Sequence, residues 1–181
     1  MTNHPMPFNL MKWIEEHAED LKPPVSNQQV YADANMIVMI VGGGNVRTDF
    51  HDDPLEEFFY QLKGDMNLRI MDEAGKPPRD MPIREGDIYL LPPHLRHSPQ
   101  RPDRKSIGLV VEYNRPPGSF DGFEWFCQEC HALIHRGEVQ LGSIVTDLPP
   151  MFESFYGSIE ARTCPACGAI HPIPDPAQDE A

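Results

Sequence analysis

The sequence has no long apolar run. Its longest, MIVMIV at residues 36–41, is far short of the ~20 residues a membrane-spanning helix needs. The opening MTNHPMPFNL lacks the basic stretch and apolar core of an export signal, so a soluble, cytoplasmic protein is expected. Basic residues are scarce. Fifteen lysines and arginines stand against 28 aspartates and glutamates, giving a formal net charge of −13 and a pI near 4.9. Such a chain repels nucleic acid and anionic membrane, so neither is expected as a partner, and an anionic ligand must be held by local cations. Cysteine is sparse too, with four in 181 residues. In a reducing compartment these are poor disulfide candidates, and their spacing becomes a question about metals. No internal repeat or heptad is visible.

What the chain does have is turn chemistry: 20 prolines and 13 glycines, which suit short strands better than long helices. Its length suits one main fold plus an appendage. Leu10, Trp13, Ile14, His17 and Leu21 recur at helical spacing after a possible Asn9 cap, which predicts one amphipathic helix within 8–21. ANMIVMIVGGG, EEFFYQLKG, MNLRIMD, GDIYLLPP and SIGLVVEY then read as strands in series without intervening helices, the pattern of a mainly β sandwich or barrel. After NRPPGSFDG the composition shifts. The expected organisation is a helix and barrel over 1–122, a cysteine-bearing segment over 123–170 with a loop-like TDLPPMFESFYGS, and a disordered tail over 171–181.

The stretch HDDPLEEFFYQLKG places His51 six residues ahead of Glu57. On a straight strand that is roughly 20 Å, too far to share a metal. Asp52, Asp53 and Pro54 supply a turn where the chain must fold back. A second histidine would complete the 2-His-1-carboxylate set that suits non-haem Fe(II) and leaves coordination positions open. GDIYLLPPHLRHSPQ offers two, His94 and His97. Alternation along the strand does not choose between Glu56 and Glu57, because both faces are largely apolar.

The cysteines form two matched knuckles, Cys127-x2-Cys130 and Cys164-x2-Cys167, thirty-three residues apart. Together they make a closed tetrahedral thiolate site for Zn(II) or iron, with no open position for chemistry. A thioredoxin-like pair or free buried thiols would not explain two matched knuckles. The site is expected to be structural, clamping a segment too small to bury its own core.

VGGGNVRTDFHDDPLEEFFYQLKG, EGDIYLLPPHLRHSPQRP, DGFEWFCQEC and SIVTDLPPMFESFYGS, in that order, resemble the single-cupin form of 3-hydroxyanthranilate 3,4-dioxygenase over about residues 7–171. The resemblance implies a cupin (jelly-roll) barrel, catalytic iron ligands His51, Glu57 and His97 with His94 as the fallback, and Gly64 closing the first motif. It further implies a rubredoxin-like cysteine site, which makes iron acceptable there as well as zinc, and a homodimer. One departure is Gly44, where the family has a proline; the expected effect is a looser loop.

The implied substrate is an aromatic carboxylate, 3-hydroxyanthranilate, consumed with O2 to give 2-amino-3-carboxymuconate semialdehyde, a quinolinate precursor in tryptophan breakdown or NAD synthesis. Arg47 and Arg101 each lie four residues from a proposed ligand, and guanidinium groups suit the substrate's carboxylate. Two such cations more than offset the net single negative charge left when the substrate chelates iron. The resemblance also places Glu112 in the pocket, to bond the substrate's amine or hydroxyl and help remove a proton, and Asn27 on its lining. The rival reading is a non-enzymatic cupin that binds a small aromatic carboxylate and uses the cysteine appendage for protein contacts. A third keeps the fold and changes the substrate to another aminophenol or catechol carboxylate.

Overall fold

A computed structural model describes residues 6–22, 26–32, 34–45, 47–142 and 144–174. Two antiparallel sheets face each other. The first has the strand order β1 (Asn27–Gln29), β2 (Met36–Gly42), β9 (Ile107–Tyr113), β4 (Glu57–Lys63) and β7 (Ile88–Leu91). The second runs β11 (Leu133–Val139), β10 (Asp121–Phe126), β3 (Asp49–Asp52), β8 (His97–Gln100), β5 (Met66–Ile70) and β6 (Arg79–Ile83). This is the expected cupin barrel. Its apolar core lies between the sheets, where Met39, Phe59, Leu68, Ile70, Leu91 and Val110 are all buried. Each such side chain contributes ~1.5–3 kcal/mol by leaving water.

Helix α1 (Leu10–Glu16) is shorter than the predicted span. Asn9 caps it, its side chain accepting from Lys12 N at 3.0 Å, and it stops where the His17 ring bonds the Trp13 carbonyl. Ile14 and Leu21 still pack on Ile40, so the helix and the turn after it cover the outer face of the first sheet.

The five predicted strands match β2, β4, β5, β7 and β9. Six others escape notice, and β3, β8 and β10 show why. DFHD, HSPQ and DGFEWF hold charged, imidazole or proline residues where apolar alternation would be the signal, because they point polar groups into the barrel.

Gly44 departs from its expectation. Its φ is +84° and its N–H donates to the Arg101 carbonyl at 2.8 Å. Proline can supply neither that angle nor that donor, so the glycine ties this loop down instead of loosening it.

The boundary expected after residue 122 falls inside β10, which pairs with β3 on one side and β11 on the other. The stretch expected to be loop-like is instead part of helix α2 (Ile144–Tyr156), followed by α3 (Ile159–Arg162). Pro149 and Pro150 lie inside α2 and argue against a helix locally. Tertiary packing wins, since Leu148, Met151, Phe152, Phe155 and Tyr156 recur at helical spacing and pack on Phe123 and Trp125. Of the expected tail, residues 175–181 lie outside the described residues. Residues 171–174 are described, and His171 is buried against Phe155. Among the described residues no helix is long and apolar enough to cross a membrane.

Candidate metal and substrate site

The Asp-Asp-Pro corner solves the spacing problem. Asp53 Oδ1 accepts the Leu55 N–H at 2.7 Å, turning the chain from β3 in one sheet to β4 in the other. His51 therefore faces His97, its register partner on β8, while Glu57 sits across from Glu112 on β9. One ligand atom from each of His51, Glu57 and His97 lies within 4.8 Å of the others, and all three residues are buried. The choice between glutamates is made by the strand: Glu57, Phe59 and Gln61 point inward, whereas Glu56 precedes β4 and is exposed. His94 is not part of the group. Its side chain is 67% exposed and bonds Asp52 at the outer end of the corner.

The ligand atoms carry the marks of a cation site. His97 Nδ1 lies 2.9 Å from the Leu95 carbonyl, which accepts its N–H and leaves Nε2 as the ring atom facing inward. That Nε2 is 2.9 Å from Glu57 Oε2, and the oxygen has no other partner. Two electron-rich atoms so close in a buried place need positive charge between them. On the far side, His51 Nε2 bonds Asp121 Oδ1 at 2.8 Å, a carboxylate that fixes the ring's tautomer. The His51 ring is stacked on Phe123, centroids 4.7 Å apart.

Arg115 organises this side, although no motif marks it in the sequence. Its side chain is 1% exposed and donates to Glu112 Oε2 at 2.8 Å, to Asp53 Oδ2 at 2.6 Å and to Asp121 Oδ1 at 2.6 Å. With Glu57 nearby, four carboxylates face one guanidinium, which favours a dication at the three ligands. Burial, and then the charge of Glu57, push Glu112 up to about 8 despite Arg115. The only linear clue to Arg115 was its place in NRPPGSFDG, between two strands that carry buried acids.

The ligands open onto a cavity of about 530 Å³, lined also by Asn27, Arg47, Arg101 and Glu112, with Phe59 and Phe152 among its apolar walls. The structure thus brings every proposed substrate residue to one chamber. The two arginines are not equivalent there. Arg47 is already paired with Asp49. Arg101 has no carboxylate partner among the described residues. It is 1% exposed, and burial lowers its pKa to about 10.

The four cysteines form a second cluster on two turns of the same build. Cys127 N–H donates to Ala132 O and His131 N–H to Cys127 O, and the same pair of bonds recurs from Cys164 to Ala169 and from Gly168 to Cys164. His131 and Gly168 hold corresponding left-handed positions, at φ 59° and 76°. The Cys127–Cys167 and Cys130–Cys164 sulfurs are each 3.6 Å apart. That is far beyond a disulfide and close to the roughly 3.8 Å edge of a tetrahedron with ~2.3 Å metal–sulfur bonds. Desolvation raises the Cys164 thiol, but backbone N–H groups of Cys167 and Ala166, together with the neighbouring Cys130 and Cys167 thiols, bring it to about 6. Cys167 is pushed up to about 12 although the Ala169 backbone lowers it, because the neighbouring sulfurs oppose a second negative charge. A bound cation removes that conflict.

A model of the family described as 3-hydroxyanthranilic acid dioxygenase matches residues 1–156. Relatives named 3-hydroxyanthranilate 3,4-dioxygenase include one from Ruegeria pomeroyi, 61% identical and covering 93% of both chains. Another, from Shewanella woodyi, is 60% identical over 94% of this chain and 89% of its own. Among solved structures, a cupin-2 domain protein from Shewanella frigidimarina aligns at 14% identity and a TM-score of 0.45, over 59% of this chain and 93% of that one. Hydroquinone 1,2-dioxygenase from Sphingomonas sp. TTNP3 aligns at 19% identity and a TM-score of 0.46, over 62% and 33%. With a family match across most of its length and relatives of such identity, the chain belongs to the 3-hydroxyanthranilic acid dioxygenase family.

Proposed function

We propose that this dioxygenase cleaves the ring of 3-hydroxyanthranilate with O2 in an extradiol manner, giving 2-amino-3-carboxymuconate semialdehyde, the precursor of quinolinate. The observation that carries this reading is one cavity holding both a converging His51–Glu57–His97 set and the uncompensated cation of Arg101. A ferrous ion held by those three residues would supply open positions where the substrate's hydroxyl and amine meet oxygen.

The chain's own residues do the rest. Arg101 takes the substrate carboxylate, and Arg47 joins it by exchanging part of its bond to Asp49. Glu112, across from Glu57 and oriented by Arg115, accepts the proton lost by the substrate hydroxyl. Phe59 and Phe152 flank the ring and exclude water, and Asn27 completes the polar lining. The four-cysteine site holds a structural iron or zinc that pins the segment carrying α2. The enzyme acts in the cytoplasm as a homodimer, in tryptophan breakdown or NAD synthesis.

The test is anaerobic loading with Fe(II), followed by substrate and oxygen. Oxygen uptake matched by ring-opened product is expected, with zinc-loaded protein inactive. Stoichiometric iron and bound substrate without oxygen uptake would contradict the proposal.

A further inference from the structure

Buried guanidinium groups are ordinarily paired with acids, and around the cavity fully buried Arg115 follows that habit with Asp53, Glu112 and Asp121, as does half-buried Arg47 with Asp49. Arg101 breaks it. Its Nη1 donates to Gln61 Oε1 at 2.5 Å and to Ser106 Oγ at 3.3 Å, both uncharged, and its Nε has no acceptor. Gln61 is fully buried and locked in turn, its Nε2 donating to Ser106 Oγ and to the Lys63 carbonyl, each at 2.9 Å. An amide committed to two donations presents only its oxygen to the guanidinium. Room for the guanidinium comes from Gly108, the register partner of Gln61 on β9, where a Cβ would lie 2.2 Å from Arg101 Nη2.

We propose that Gln61 is a positioning residue that sets specificity for anionic substrates: its neutral oxygen aims Arg101 into the cavity and leaves the full positive charge for the ligand's carboxylate. The inference rests on the reading of Arg101 as the carboxylate's partner. A glutamate of the same shape would hold Nη1 equally well and cancel its charge. A methionine would remove the acceptor without adding charge.

The test is equilibrium binding to iron-loaded protein under argon. It compares 3-hydroxyanthranilate with 2-aminophenol, which keeps the chelating pair and lacks the carboxylate. Wild type should prefer the carboxylate, and Arg101→Ala should lose that preference. Gln61→Glu should cut it at least about tenfold while 2-aminophenol affinity stays within about twofold. Gln61→Met should cut it about threefold, and it decides the matter if Gln61→Glu does not fold. Wild-type preference in the Gln61 variants, with the preference lost in Arg101→Ala, overturns the role of Gln61 alone. An equal loss for both ligands marks a merely structural residue and also overturns it. Preference retained in Arg101→Ala overturns the reading of Arg101 and this inference with it.

Discussion

Glu112 and Arg101 are ionisable groups that burial pushes toward their uncharged forms, Glu112 upward and Arg101 downward. The folded pKa of Glu112, about 8, lies above the ~4.3 of an unfolded glutamate. Between those values the folded state binds the extra proton, so this residue makes the metal-free protein less stable as pH rises from about 5 to 8. Urea unfolding of metal-free protein across that range should show a shallower decline in Glu112→Gln than in wild type. Arg101→Ala should raise KM for 3-hydroxyanthranilate at least about 30-fold, the equivalent of ~2 kcal/mol, measured by steady-state oxygen uptake. Single residues were legible in sequence when a motif spaced them, as with His51, Glu57, His97 and the cysteines. Arg115, Asp121 and Gln61 were not, since their roles lie in contacts with residues distant in sequence, Asp53, His51 and Arg101. The pairing of Arg47 with Asp49 went unread for a different reason: adjacency two residues apart does not reveal that both side chains turn to the same space.

Strands with apolar runs or alternation were easy to read even where they carry chemistry, as β4 does with Glu57 and β9 with Glu112, and strands without that pattern were not. β2 and β9 alternate or run apolar, so propensity and burial agree. β3 is buried at all four positions, yet three of them are Asp or His, which no hydrophobic period reports. α2 was hidden by its two prolines, although its apolar spacing was present in the chain. Through Leu148, Phe152 and Tyr156 this helix lines the cavity, and Tyr156 Oη bonds both Thr48 at 2.7 Å and the Trp125 indole at 3.1 Å. The Cys164–Cys167 half of the cysteine cluster follows directly on α3 and the other half precedes β11, so its metal should hold this segment in place. Cys164→Ser should lose that ion and let protease cut within residues 144–162 at least about tenfold faster, read by limited proteolysis and mass spectrometry, since each tenfold reflects ~1.4 kcal/mol of local opening.

At the scale of the whole molecule, a mainly β barrel was evident from strands in series, but the assignment of strands to two sheets was not. That assignment places His51 and Glu57 on opposite sheets joined by one corner, so the ligand set depends on the barrel closing. β7 is an edge strand of the first sheet, and Ile88 and Leu90 project from it, 66% and 54% exposed. Such an edge is a natural surface for a second copy. Replacing both residues with lysine should shift the proposed dimer to monomer in sedimentation and leave each barrel's iron content unchanged. The most direct test of the central claim is metal stoichiometry, iron and zinc counted together, after anaerobic Fe(II) loading, wild type against Glu57→Ala. Two ions per wild-type chain and one, thiolate-bound, in the variant are expected; two ions in both proteins would contradict a site built on Glu57.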